Sequence, residues 1–332
     1  MKKSLLALAV LGAFAGVASA QSSVTMYGTV DLNGRYVKND GSAARYSLGQ
    51  DGINSSQLGF KGTEDLGGGL KAGFDLIAGV NADDGTTNSK FFNRRAVVKL
   101  SGGFGEVRLG RDYTPTFWNY TIFDAFGTNG LGDSSHVLAS VQPTFVRADN
   151  SVGYFLPSGL GGIYGQAMVA AGEGVNTGKY YGGRIGFAAG PFDIAGAYAE
   201  TNSTNKVKSA NIGASYDMGF LKLMGYYAEV KEPSAKQTSY SISGVVPIGQ
   251  GEIHVGYEYG KYTNPTSYKA DQVALGYVYN LSKRTAVYTT VSMLKNKDNA
   301  QLMVSGEAGS TSAPPTVGGK SQGAEFGIRH FF

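Results

Sequence analysis

From Val24 to Phe332 the chain breaks into sixteen stretches of alternating polar and apolar side chains, and the connections between them alternate between tight and long. The tight ones include Leu66-Gly67-Gly68-Gly69, Gly102-Gly103-Phe104, Gly190-Pro191, Asp217-Met218-Gly219-Phe220 and Pro247-Ile248-Gly249-Gln250. Between them lie longer polar connections such as 80–90, 201–207 and 296–321. A period of two is the signature of a strand with two unlike faces. Strands are expected at 24–37, 55–65, 70–80, 91–101, 105–113, 151–157, 162–171 and 179–189, then at 191–200, 207–217, 220–230, 237–247, 251–262, 268–280, 284–295 and 322–332. A chain that runs up and down with its long loops at one end predicts an all-β, sixteen-stranded antiparallel transmembrane barrel. An even strand count brings both termini to one rim, so the first and last strands can pair. Closure matters because an open edge in hydrocarbon leaves backbone groups unsatisfied at several kcal/mol each.

The amino terminus has a different character. Lys2 and Lys3 precede the uncharged apolar run 5–15, and Val17-Ala18-Ser19-Ala20 offers small residues for cleavage. This reads as a secretory signal peptide over 1–20, leaving 21–332 as one barrel domain. Cleavage removes two of the 29 basic side chains against 25 acidic ones, so the exported chain is almost neutral. Charge this balanced argues against nucleic-acid binding. Cysteine is absent, which excludes a disulfide framework in an exported chain. No apolar run past the signal reaches the roughly 18–20 residues of a spanning helix. The 21 Tyr, 17 Phe and 50 Gly instead suit strands that show one face to lipid and the other to water. A soluble sandwich or propeller would also alternate, although no repeat of about 20–50 residues is visible.

Alternation assigns the faces. Val24, Met26, Val30, Leu32 and Tyr36 fall on one side of the first strand, opposite Thr25, Thr29, Asp31, Asn33 and Arg35. A charge at the bilayer midplane costs about 2–4 kcal/mol, so the polar face points inward. Sixteen strands enclose a space too wide for side chains to fill, which predicts an aqueous channel. By parity Arg35, Lys61, Arg184 and Arg329 line it, opposed by Asp31, Asp75 and Glu258.

One connection breaks the pattern. Residues 114–150 include Phe117, Trp118, Tyr120, Ile122, Phe123 and Phe126. Loops beyond about 12–15 residues are functional or disordered, and this one is too aromatic for disorder. The barrel's interior is the nearest surface it can pack on, so it is expected to fold inward and narrow the channel, with 119–126 as a helical turn. The competing expectation is that these aromatics cap a subunit interface or anchor in lipid.

Several segments resemble Gram-negative general porins, in particular their betaproteobacterial branch. They are Val24-Thr25-Met26-Tyr27-Gly28-Thr29-Val30-Asp31, the run from Leu58 through Gly62-Thr63-Glu64-Asp65-Leu66-Gly67 to Lys71, Phe104-Gly105-Glu106-Val107-Arg108-Leu109-Gly110-Arg111, and the terminal Gly327-Ile328-Arg329-His330-Phe331-Phe332. The resemblance covers the whole exported chain. It implies an outer-membrane homotrimer in contact with lipid and lipopolysaccharide, with the third external loop folded into each pore. It implies passive diffusion of small hydrophilic solutes and inorganic ions, and assembly-machinery recognition of the terminal Phe332. It also implies a basic ladder facing acidic groups on the loop. Arg111 matches one ladder position, Arg147 another more loosely, and Asp124 in Phe123-Asp124-Ala125-Phe126-Gly127 is the acidic candidate. A third ladder arginine is replaced by Gln57, which weakens the case for strong anion selectivity. Strict alternation places Arg111 with Val107 and Leu109 on the lipid side; a bulge near Gly110 would turn it inward.

Other signals point away from chemistry. His136, His254 and His330 lack metal-ligand spacing, so no metal or cofactor is expected. Asp83-Asp84-Gly85 reads as a turn. His254, on the inward face, is the sole hint of a barrel enzyme, and a nucleophile held beside it is not apparent. The expectation is a non-enzymatic outer-membrane porin with weak anion preference. The alternatives are a solute-specific channel, or an adhesin or structural barrel with a plugged lumen.

Overall fold

The protein is described from a computed structural model over residues 23–138, 144–175, 177–203, 205–263, 267–305 and 313–332; the expected signal segment 1–20 lies outside them. The strands in chain order are β1 (Ser23–Asn39), β2 (Arg45–Gln50), β3 (Gln57–Gly67), β4 (Leu70–Gly79), β5 (Arg95–Gly102), β6 (Gly105–Tyr113) and β7 (Arg147–Phe155). They continue with β8 (Ile163–Ala170), β9 (Tyr180–Ala189), β10 (Phe192–Asn202), β11 (Lys206–Asp217) and β12 (Lys222–Lys231). The last five are β13 (Lys236–Ile248), β14 (Gly251–Thr263), β15 (Ser267–Asn280), β16 (Thr285–Asp298) and β17 (Lys320–Phe331).

All neighbours are antiparallel and belong to one sheet. It closes where β1 meets β17, from Thr29↔Phe331 to Asn39↔Ser321. Beyond the last strand, Phe332 N donates to Gly28 O at 3.1 Å and Gly28 N to Phe332 O at 3.0 Å, which extends the seam. The short strand β2 is absent from the sequence expectation. It pairs with the upper half of β1 (Leu32↔Gln50 to Val37↔Arg45), while β3 pairs with the lower half (Ser23↔Thr63 to Thr29↔Gln57). The two share one place around the ring, so the barrel has sixteen positions.

The molecule is apolar outside and polar inside. Ile185, Ile212 and Ile242 are 64%, 50% and 58% exposed, whereas Glu258 and Gln272 are 0% exposed. Paired residues share a face, so the ladders carry one inside and one outside register around the whole circumference. On the outside, Ile242 pairs with Tyr257 and Tyr257 with Val273. On the inside, Ser241 pairs with Glu258 and Glu258 with Gln272. Only lipid makes that arrangement favourable, because the exposed side chains avoid water while the strands satisfy their own backbone groups.

One irregularity interrupts the ladder between β6 and β7. Gly110 pairs with Ser151, but Asp112 pairs with Ala148, so β7 carries an extra residue and Asn150 takes φ +53°. A Cβ on Gly110, itself at φ +132°, would lie 2.1 Å from Ala96 O. Only glycine lets the strands approach this closely here.

Candidate functional site

The connection between β6 and β7 opens with helix α1 (Pro115–Ile122), whose first residue has its φ fixed by the proline ring. The helix therefore starts four residues before the expected 119–126. Two short 3-10 turns follow, Gly130–Gly132 and Ser134–Val137. Residues 139–143 are not among those described.

This connection packs on the inward register of β8 through β17. Asn119 Nδ2 donates to Ala195 O at 3.0 Å and to Asn211 Oδ1 at 2.8 Å, while Arg184 Nε donates to Asn119 Oδ1 at 2.6 Å. Asn211 returns a bond to Thr116 O at 2.9 Å. The Tyr120 ring meets Tyr226 edge-on at 4.9 Å. Further along, Ala125 N donates to Ser243 Oγ at 2.9 Å, and His254 Nδ1 lies 2.6 Å from Ala125 O. Gln272 Nε2 donates to Asp133 O at 3.1 Å, and Leu131 N to Glu325 Oε1 at 3.3 Å. Phe117, Tyr120, Phe123 and Phe126 are all buried.

Glycines make that contact possible. A Cβ on Gly213 would lie 2.1 Å from the Phe123 ring, and one on Gly260 only 2.0 Å from Val137 O. Gly256 and Gly276 similarly face Phe126, and Gly323 faces Leu131. Parity in the sequence places these glycines inward, but it does not say what packs against them.

The wall from β3 to β7 carries a cluster of basic groups. Arg95, inward on β5, donates to Asp112 at 2.7 Å and Asp75 at 3.1 Å. Arg108 binds Glu106 at 2.6 Å and Asp112 at 2.8 Å. These two are neutralised locally. Arg94 and Arg147 differ. Each donates to the Tyr113 hydroxyl, at 3.0 and 2.7 Å, and neither has a carboxylate within 4.0 Å among the described residues. Arg147 Nε donates to Arg94 O at 2.8 Å, which holds the two together. Tyr113 in turn stacks on Phe117 of α1, with centroids 5.6 Å apart and planes within 7°. Neutral acceptors orient both guanidinium groups, and Arg94 additionally acts from beyond 4.0 Å on the Asp51 carboxylate. Sequence reasoning missed Arg94 and Tyr113. Arg94 lies just before β5, where alternation does not apply, and alternation in the Arg94-Arg95 doublet selects only Arg95 as inward.

Further acidic groups occupy the opposite side. In the ring of sixteen, β13 stands eight places from β5. Beside it lie Glu258 on β14 and, on the connection, Asp124 and Asp133. Asp124 is buried rather than open to the lumen, and its carboxylate accepts from Phe126 N and Thr128 N, both at 3.1 Å. Burial pushes that carboxyl up to about 6, against the lowering effect of those two bonds. Asp133 is the more accessible acid. With Arg35, Asn129, His136 and Ser305 it lines a cavity of about 380 Å³.

The other expected site residues fall in several environments. Arg35 is 6% exposed and paired with Glu325 at 2.8 Å. Lys61 is exposed, its Nζ 5.1 Å from the Tyr27 ring, with no carboxylate within 4.0 Å among the described residues. Arg184 is buried and braces the helix through Asn119. Arg329 donates to Asn54 Oδ1 at 2.9 Å. Arg111 sits on the outer register, paired with Ala96, and binds Asp149 at 2.5 Å and Asn93 O at 2.6 Å. A bulge does exist beside Gly110, but its extra residue lies in β7. Asp112, not Arg111, therefore takes the inward place.

Comparison with known proteins agrees with this architecture. A family model described as Gram-negative porin matches residues 7–299. Outer membrane porin protein 32 of Delftia acidovorans is 39% identical over 355 residues, spanning 100% of both chains. An outer membrane porin protein of Bordetella pertussis is 30% identical, covering 89% of this chain and 95% of its own. Among solved structures, the anion-selective porin from Comamonas acidovorans superposes with a TM-score of 0.85 at 36% identity, over 94% of this chain and 100% of its own.

Proposed function

This chain belongs to the Gram-negative porin family and forms a passive diffusion channel in the outer membrane, and from that premise we propose that the channel prefers anions, with residues 114–150 setting its narrowest section. The observation that carries the reading is the pair Arg94 and Arg147, whose charges are held by the Tyr113 hydroxyl and, among the described residues, by no carboxylate within 4.0 Å. Fixed positive charge in a confined, partly desolvated passage raises the local anion concentration and the anion's share of the current. Lys61 adds to it. On the near side Asp75, Asp112 and Glu106 are taken up by Arg95 and Arg108, Asp51 lies beyond 4.0 Å of Arg94, and on the far side Asp124 and Glu258 are buried. The preference is therefore for anions, tempered by Asp133 and by the replacement of a ladder arginine with Gln57.

Opposed charge across the gap also orients water, which favours small polar solutes over apolar ones. The anion-selective character of the Comamonas porin supports the same sign. The functional unit in this reading is a homotrimer of independent pores, exported by cleavage near Ala20 and recognised for assembly through Phe332. One measurement tests the selectivity. In a salt gradient across a planar bilayer, the purified protein should show open-channel steps and a reversal potential of anionic sign. A cationic sign would overturn the preference, and absence of steps would indicate a plugged barrel. Flux linear in solute concentration is expected; saturation by one solute would mark a specific channel.

A further inference from the structure

Basic side chains of the inward wall are coupled to aromatic rings. From Arg95, which follows Arg94 at the head of β5, one inward rung runs through Ile77 and Gly59 to Tyr27. That is three interstrand steps, about 14 Å along the wall. The Tyr27 ring covers Gly59, where a Cβ would lie 2.4 Å from the ring's Cζ. Glycine thus lets the ring lie against the strand, and Tyr27 is half-buried rather than enclosed. Lys61 is exposed beside it, its Nζ standing over the ring at 5.1 Å from the centre.

The carboxylate best placed to neutralise Lys61 is already occupied. Asp75 stands directly opposite Lys61 in the β3–β4 ladder. One of its oxygens accepts from the Tyr27 hydroxyl at 2.9 Å and the other from Arg95 at 3.1 Å. A second couple lies across the seam. On β17 the Arg329 guanidinium carbon is 4.0 Å from the centre of the Phe331 ring, and Asp31 and Glu252 act on that arginine from beyond 4.0 Å. Phe331 pairs with Thr29, two residues from Tyr27, so the two rings are diagonal neighbours in the sheet. Two adjoining positions therefore offer a cation and an aromatic face together. The couples further round the wall do not: Arg108 over Phe155 is neutralised by Glu106 and Asp112, and Arg184 over Tyr164 is buried against Asn119.

An inorganic anion can use only the charge at such a place. A planar aromatic carboxylate uses both parts, its carboxylate meeting the ammonium while its ring stacks on the tyrosine. An alicyclic carboxylate of the same charge has no π-face to stack. Building on the anion preference argued above, we propose that the Tyr27–Lys61 couple, flanked by Arg329 and Phe331, is a binding step for aromatic carboxylates. The channel then passes benzoate-like anions in preference to alicyclic ones. One exposed stacking contact raises occupancy of the passage without trapping the anion, which conduction requires.

The test uses the full exported protein in planar bilayers, with potassium chloride on one side and potassium benzoate or potassium cyclohexanecarboxylate on the other. Reversal potentials give the permeability of each carboxylate relative to chloride, and their quotient is the readout. Wild type should favour benzoate about threefold or more, the factor expected of one stacked ring contact. Tyr27→Leu should bring the quotient close to one. Tyr27→Phe keeps the ring but loses the bond to Asp75, and should retain the preference. Open-channel steps in potassium chloride establish that each variant is folded. A wild-type quotient near one would overturn the proposal. So would a benzoate preference retained in Tyr27→Leu, which would mark sieving by molecular thickness, or one lost equally in Tyr27→Phe, which would trace it to Asp75. The sign of the potential in a potassium chloride gradient is read separately, so failure of the anion preference and failure of the aromatic preference are distinguishable.

Discussion

Arg147 donates to the Tyr113 hydroxyl at 2.7 Å while its guanidinium carbon lies 4.3 Å from the centre of the same ring. A phenol can fix a guanidinium without cancelling its charge, which a carboxylate would do. Tyr113 also closes β6 and stacks on the first turn of α1, so the residue that orients the wall charge also roots the connection. One side chain thereby links the wall charge to the connection.

Replacing both arginines, as Arg94→Gln/Arg147→Gln, should move the reversal potential toward cations and lower the anion-to-cation permeability ratio several-fold. The conservative Arg147→Lys change should fall between, since an ammonium keeps the charge but not the planar fork. Reversal potentials in a tenfold salt gradient decide this. An unchanged potential in the double variant would mean that neither guanidinium influences the narrow section.

Asn119→Ala should loosen the connection without opening the barrel. The side chain makes three buried hydrogen bonds, to Ala195, Asn211 and Arg184, and its loss leaves the Arg184 guanidinium short of a partner. Such losses cost about 1–3 kcal/mol. Limited proteolysis within 114–150, together with increased open-channel current noise, is the expected result. Normal resistance to protease and quiet conductance would assign the anchoring to the aromatic contacts instead.

Most of the fold was legible because one rule, alternation, governs every strand. The expected strands at 70–80, 105–113, 251–262 and 268–280 lie within a few residues of β4, β6, β14 and β15. What alternation cannot express is pairing. Strand β2 escapes it because Arg45–Gln50 lies in a polar loop and becomes a strand only by pairing with the upper half of β1. Arg111 fails similarly, since a bulge shifts whichever strand carries the extra residue, and Gly110 alone does not say which. The aromatics of 117–126 marked that segment as one that must pack on a surface. The wall glycines that receive it required knowing which strands it would cross.

Gly260 tests that last point. A methyl group there would meet the Val137 carbonyl at 2.0 Å, a backbone atom that cannot rotate away. Gly260→Ala should therefore displace the turn Ser134–Val137 and change single-channel conductance, while heat resistance of the barrel stays close to wild type. Gly196→Ala, at a lipid-facing position with no such neighbour, should leave conductance unchanged. Equal conductance in both variants would show that the turn yields without narrowing or widening the passage.

Asp124 should make the docking of the connection depend on pH. Burial raises its carboxyl to about 6, from an ordinary value near 4. The folded state then binds the proton more tightly than the unfolded chain does. The resulting stabilisation is fully present below about pH 4 and is lost as pH rises through about 6, amounting to about 3 kcal/mol from a shift of about two units. Asn in its place can still accept from Phe126 N, but it does not titrate. Thermal stability measured from pH 4 to pH 7 should therefore fall more steeply for wild type than for Asp124→Asn, with the difference centred between pH 4 and 6. Parallel curves would show that Asp124 stays ionised against the wall, held by the backbone amides of Phe126 and Thr128.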